Sequence, residues 1–229
     1  MTAALGWGAL AASSLVIGAV LGLLRSWPEA VVGTVLAFGA GALVSAVTFE
    51  LALDGIDEGG APAVGIGLAV GALVYFGADA LLDRGGDDNG VGLALGAFLD
   101  GIPEQLVLGI GLVAGQGVGV GLLAAIFVSN LPEGIGSASE MRAKMGDRRV
   151  LVVWVAVAAV CTAATVAGYA MGDATGGHLR AAINGFAAGA LLVMLVDSMI
   201  PQAREKAGRV AGLVTVLGFA VAAALSLTS

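Results

Sequence analysis

The sequence predicts an all-α, polytopic membrane protein with eight transmembrane helices, and three observations carry that prediction. Of 229 residues, 59% are hydrophobic and only 12% charged, with a mean hydropathy of +1.00. Soluble domains carry about 25% charged residues, so a water-facing surface cannot be built from this composition. Charge-free runs also recur at the length that crosses a bilayer, about 20 apolar residues per helix, most cleanly at 3–24, 150–172 and 210–229. Finally, all but one of the 10 basic residues fall into alternate gaps between runs, a segregation that a miscounted span would scramble.

The first helix, α1, is expected over 3–24, up to Arg25. It has no basic segment before it, which favours a retained helix over a cleaved signal peptide. The second, α2 (31–53), holds the small-residue stretch Phe38–Val44 and carries Glu50 near its end, before the acidic Asp54, Asp57 and Glu58. The third, α3 (62–82), holds Asp79 and stops at the polar Asp83–Asn89 stretch. The next two, α4 (91–114) and α5 (118–141), are parted only by the glycine-rich turn Gly115–Gly121. Arg142, Lys144, Arg148 and Arg149 then precede α6 (150–172), which contains Cys161. A loop with His178 leads to α7 (180–200), which contains Asp197, and Arg204, Lys206 and Arg209 flank the start of α8 (207–228). The expectation is one transmembrane domain over 1–229, with no room for a soluble one.

With eight spans, only Arg180 of the 10 Lys and Arg falls on the side opposite the rest. The positive-inside rule then puts a multi-pass chain in the cell membrane with both termini away from the cytoplasm. The 38 glycines lie inside the apolar runs, where they let helix backbones approach closely. A single cysteine excludes an intramolecular disulfide. An internal repeat is visible as well: Phe38–Val44 of α2 resembles Phe186–Leu192 of α7, and each is followed by an acid, Glu50 or Asp197. The two helices run in opposite directions, as an inverted repeat requires.

The chemistry lies in the intramembrane acids. Asp100, Glu104 and Glu133 fall deep in α4 and α5, while Glu50, Asp79 and Asp197 lie nearer span ends. A carboxylate in a bilayer costs a few kcal/mol. No Lys or Arg falls at that depth in any span, so protons or bound cations must neutralise these groups. Asp100 and Glu104 share a helical face, and Ser129 and Glu133 repeat the spacing with Asn130 between them. Pro103 and Pro132, each just before a glutamate, remove backbone donors and bend their helices. The set Asp100, Glu104, Ser129, Asn130 and Glu133 would form an oxygen-rich cage for a hard or borderline divalent cation, with Glu50, Asp197 and Asp79 along a transport pathway.

These residues resemble the ZIP (Zrt/Irt-like) metal transporters, whose fourth and fifth helices carry motifs of the type His-Asn-x-Pro-Glu-Gly. Ser129-Asn-Leu-Pro-Glu-Gly134 matches from Asn130 onward. Asp100-Gly-Ile-Pro-Glu-Gln105 matches at Pro103 and Glu104, with Asp100 in place of the histidine and Gly101 in place of the asparagine. The resemblance implies a mid-membrane metal site on α4 and α5. No intramembrane histidine is present, α6 carries no acid for a second metal, and the histidine-rich loop of many relatives is missing. A site of oxygen ligands selects zinc less sharply than one with imidazole, which brings iron and manganese into range.

The reading is a carrier that moves a divalent metal, zinc, iron or manganese, into the cytoplasm. Divalent metal ions and the lipid bilayer are the expected partners, a homodimer is the oligomer allowed for, and no nucleic acid or organic cofactor is implied. An enzyme is not expected, because no nucleophile–base pair or zincin motif occurs. Two other readings stay open: a non-transporting scaffold or metal sensor with a decayed site, and a proton-coupled carrier of a small solute that uses the acids as a relay.

Overall fold

The computed structural model describes residues 1–84, 91–113, 120–174 and 176–226, with the side chains at 82–84, 91–98, 100, 173 and 174 outside that description. Most of the expected Gly115–Gly121 turn and most of the Asp83–Asn89 loop lie outside the described residues, while Val120 and Gly121 belong to a helix. What is described is helical throughout and forms eight rods. They are α1 (Thr2–Leu24), α2 (Glu29–Gly59), α3 (Ala61–Arg84), α4 (Val91–Gly111), α5 (Val120–Met145), α6 (Asp147–Ala174), α7 (Gly177–Ala207) and α8 (Val210–Ser226). Among the described residues, six helices are long and apolar enough to cross a membrane, and α8 is a shorter apolar helix. Large apolar side chains face outward, with Leu73 of α3 at 72% exposure and Leu213 of α8 at 77%. In water such a surface would drive aggregation. In a bilayer it is the lipid-facing coat of a multi-pass membrane protein.

Three junctions are tight for one shared reason. Gly60, Gly146 and Gly208 have φ of 88°, 79° and 64°, so single glycines turn α2 into α3, α5 into α6 and α7 into α8. Gly208 therefore ends α7 and delays α8 to Val210, later than the sequence suggests.

Two rods are interrupted by π-helical turns. In α2, α-helix over Glu29–Ala46 gives way to a π segment at Val47–Leu53 before Asp54–Gly59 resumes the α geometry. In α7, the π segment is Leu195–Met199, between Gly177–Met194 and Ile200–Ala207. Pro201 accounts for the second: it cannot donate a backbone hydrogen bond, and its ring clashes with the carbonyl one turn earlier. In α2 the Thr48 hydroxyl donates to the Val44 carbonyl at 2.8 Å, a bond that bends helices. Glu50 and Asp197 sit on these two π segments.

The glycines reveal how the rods pair. Gly41 of α2 abuts the Thr215 carbonyl of α8, and Gly218 of α8 abuts the Phe38 carbonyl of α2. The same exchange joins α7 and α3: Gly189 abuts the Leu68 carbonyl, and Gly71 abuts that of Phe186. A second set repeats the pattern. Gly18 of α1 meets the Leu131 carbonyl of α5 while Gly134 meets that of Leu15; Gly168 of α6 meets the Leu106 carbonyl of α4 while Gly109 meets that of Thr165. These glycine–carbonyl contacts of α1 with α5, and of α2 with α8, thus have counterparts between α6 and α4, and between α7 and α3. The inverted repeat extends from the Phe38 and Phe186 stretches to all eight rods.

Candidate metal-transport site

The pairing just described relates the expected ligands of α4 and α5 to one another. Because α4 answers to α5 with Leu106 matching Leu131 and Gly109 matching Gly134, the position matching Glu104 is Ser129. These two side chains meet: the Ser129 hydroxyl, with its one proton, lies 3.5 Å from Glu104 Oε1 and 3.0 Å from the Ile126 carbonyl. Two matching residues in contact lie on the pseudo-two-fold axis, which marks the middle of the bundle. Glu104 is 1% exposed, Ser129 0% and Asn130 1%. Gly39 of α2 packs its backbone directly against Ser129, which leaves the pair no route to lipid on that side.

The other expected ligands divide. Glu133 is half-buried one turn along α5 from Ser129. Asn130 Nδ2 has no hydrogen-bond partner among the described residues, so that buried donor retains capacity for an acceptor such as water. Asp100 is helical in α4, and its side chain lies outside the described residues. Among the described residues there is no group of three or more His, Cys, Asp or Glu side chains gathered as for a metal ion. Within the expected set, Glu104 and Ser129 are in contact.

Sequence reasoning missed the contribution of α6. Cys161 is fully buried, its sulfur packs on the Gly101 backbone, and Glu104 and Glu133 both lie within electrostatic reach of it. One turn further, the Thr165 hydroxyl donates to Gln105 Oε1, both groups fully buried. The helical spacing of Cys161 and Thr165 could have flagged one face of α6, but nothing in the sequence says that this face meets α4.

The pathway candidates lie at the two ends. Glu50, half-buried, accepts the Ser226 hydroxyl of α8 at 2.6 Å and the Leu122 backbone N–H at the start of α5 at 3.1 Å. It thereby satisfies one of the donors that a helix N-terminus leaves open. At the same end, His178 Nδ1 donates to the Gly59 carbonyl at 2.8 Å, and Arg180 and Glu58 approach to 3.7 Å. At the opposite, basic end, Asp197 is exposed beside an apolar groove of about 390 Å³ between α3 and α7, lined by Leu68, Phe76 and Val193. Asp79 is half-buried toward the end of α3.

No family model matches the chain. It is, however, 28% identical to the zinc transporter ZupT of Salmonella arizonae over a 217-residue alignment, which covers 86% of this chain and 84% of the relative. ZupT of Salmonella newport and of Salmonella heidelberg match over the same share at 27% identity. The chain is a distant homologue of these zinc transporters. The homology supports the resemblance to the ZIP family read from α4 and α5, and the ZupT relatives are transporters, not enzymes.

Proposed function

We propose that the chain is a ZIP-type carrier that moves a divalent metal cation, zinc first among zinc, iron and manganese, through a mid-membrane site between α4 and α5. Glu104 and Glu133 would supply the negative charge, Asp100 the carboxylate in place of the usual histidine, and Ser129 and Asn130 neutral oxygens. The observation that carries this reading is Glu104: 1% exposed, at the axis that relates the two halves, in a chain homologous to zinc transporters along most of its length. A carboxylate so placed is costly unless a cation or proton joins it.

The basic end would face the cytoplasm by the positive-inside rule, which sets both termini outside. The metal would then enter on the side of Glu50 and leave on the side of Asp197 and Asp79. Alternating access would come from one set of paired rods rocking against the other around the central site.

The test is flux of zinc, manganese and iron(II) into proteoliposomes by the wild type, Glu104→Ala and Glu133→Ala. Saturable flux lost in both variants supports the carrier. Flux untouched by Glu104→Ala sinks the site. Metal binding with no flux turns the reading to a scaffold or sensor, and solute uptake indifferent to metals turns it to a proton-coupled carrier.

A further inference from the structure

The end of α7 carries a lysine whose position the sequence does not suggest. Lys206 reads as a loop residue, yet α7 stays helical to Ala207 and the side chain is half-buried against neighbouring helices. Glycines on two other helices make room for it. A Cβ built on Gly33 of α2 would fall 2.6 Å from Lys206 Cβ, and one built on Gly136 of α5 would fall 3.5 Å from Nζ. The stem rests on α2 and the ammonium lies over α5, so the side chain bridges the two helices that flank Ser129.

Its depth follows from helix geometry. Gly136 lies on the same helix as Ser129 and Glu133, and a helix rises about 1.5 Å per residue, so the level of the ammonium along α5 is offset by about 10 Å from that of Ser129 and by about 5 Å from that of Glu133. That is still inside a hydrocarbon core about 30 Å thick. Nearby basic groups are held at the helix ends instead. Arg142 donates to the Leu23 carbonyl at 2.9 Å and pairs with Asp147 at 2.9 Å, while Arg204 donates to the Gly208 carbonyl at 3.4 Å.

Building on the metal path proposed above, we propose that Lys206 is a tethered cation at the basic-end exit of that path, where it weakens the site's hold on a divalent ion and speeds release toward that end. A fixed positive charge acts on a divalent ion twice as strongly as on a monovalent one. Over an axial offset of about 10 Å, and with Lys206 half-buried, that repulsion is screened less than it would be between groups fully in water. Gly33 lets the lysine stem lie directly on α2, and a Cβ at position 136 would be in ordinary contact with the ammonium.

The test is a charge series in the full-length protein, with Lys206→Arg, Lys206→Met and Lys206→Glu. Zinc affinity would be measured by calorimetry in detergent and zinc flux in proteoliposomes, with Glu104→Gln alongside. Affinity should tighten roughly tenfold in Lys206→Met and further in Lys206→Glu, while Lys206→Arg keeps near-wild-type affinity. Turnover should fall as affinity rises. A lysine that only fills space predicts instead that Met, which keeps the stem, binds like the wild type. Unchanged or weaker binding in Lys206→Met, in protein that melts like the wild type, overturns the proposal; Lys206→Gln serves if the Met variant does not fold. A flat series with binding still abolished by Glu104→Gln defeats the lysine inference alone. Zinc binding that ignores Glu104→Gln defeats the site itself and the inference with it.

Discussion

Gly101 occupies the place where ZIP-type motifs carry asparagine, and its neighbour explains the departure. A Cβ at that position would lie 2.7 Å from the Cys161 sulfur, so any side chain there must displace the thiol. Gly101→Asn alone should therefore destabilise the protein by about 1–3 kcal/mol through overpacking. Adding Cys161→Ala should recover most of that loss. Thermal melting in detergent reads both, and an equal loss with and without Cys161 would show that the sulfur is not the obstacle. The adjacent Thr165 makes a second case. Its hydroxyl donates to Gln105 Oε1, and Gln105 Nε2 already has no partner among the described residues. Thr165→Val keeps the shape and leaves the buried amide oxygen unsatisfied, at a cost of about 1–3 kcal/mol in the same measurement. A melting temperature equal to that of the wild type would mean that water or another group takes the place of the hydroxyl.

At the scale of helices, the two π turns carry the acids nearest the ends. Such turns widen a helix locally and recur at functional positions. Glu50 shows one use: from its π segment it reaches both the start of α5 and the last residue of α8. Glu50→Ala removes a charged acceptor from a helix N-terminus and frees the Ser226 hydroxyl. Charge-assisted hydrogen bonds contribute about 1.5–3 kcal/mol. The variant should melt lower by an amount in that range, and amide exchange should quicken at Leu122 more than at Ile126, deeper in the same helix. Uniform exchange across α5 would argue that Glu50 does not hold that end. None of this was legible beforehand, for a physical reason. Apolar runs reveal spans because lipid tolerates no exposed backbone polar groups, whereas a π turn depends on Pro201 or Thr48 acting within a particular packing. The Glu104 and Glu133 positions were legible because a carboxylate in an apolar run is conspicuous. Cys161 and Gln105 were not, since their relevance depends on which face of α6 meets α4.

For the molecule as a whole, the inverted repeat was readable only at its strongest point, the Phe38 and Phe186 stretches. Its extent lies in the backbone approaches, which small residues permit at many places in an alanine- and glycine-rich sequence. Without a hydrophobic drive between helices in lipid, close approach and dispersion contacts hold such a bundle together. If the two halves are equivalent, matching glycines must bear equal loads. Gly41 faces the Thr215 carbonyl as Gly189 faces that of Leu68, whereas Gly65 and Gly212 face open space. Gly41→Leu and Gly189→Leu should each prise one helix pair apart, with similar losses of at least about 1–3 kcal/mol. Gly65→Ala and Gly212→Ala should be neutral or raise stability by up to about 1 kcal/mol, because alanine is the better helix former. Thermal melting of the four variants in one detergent decides the matter. Loss at Gly41 with tolerance at Gly189 would mean that α3 and α7 pack more loosely than α2 and α8. The repeat would then be one of topology without equal energetics, and rocking motion would concentrate in the weaker pair.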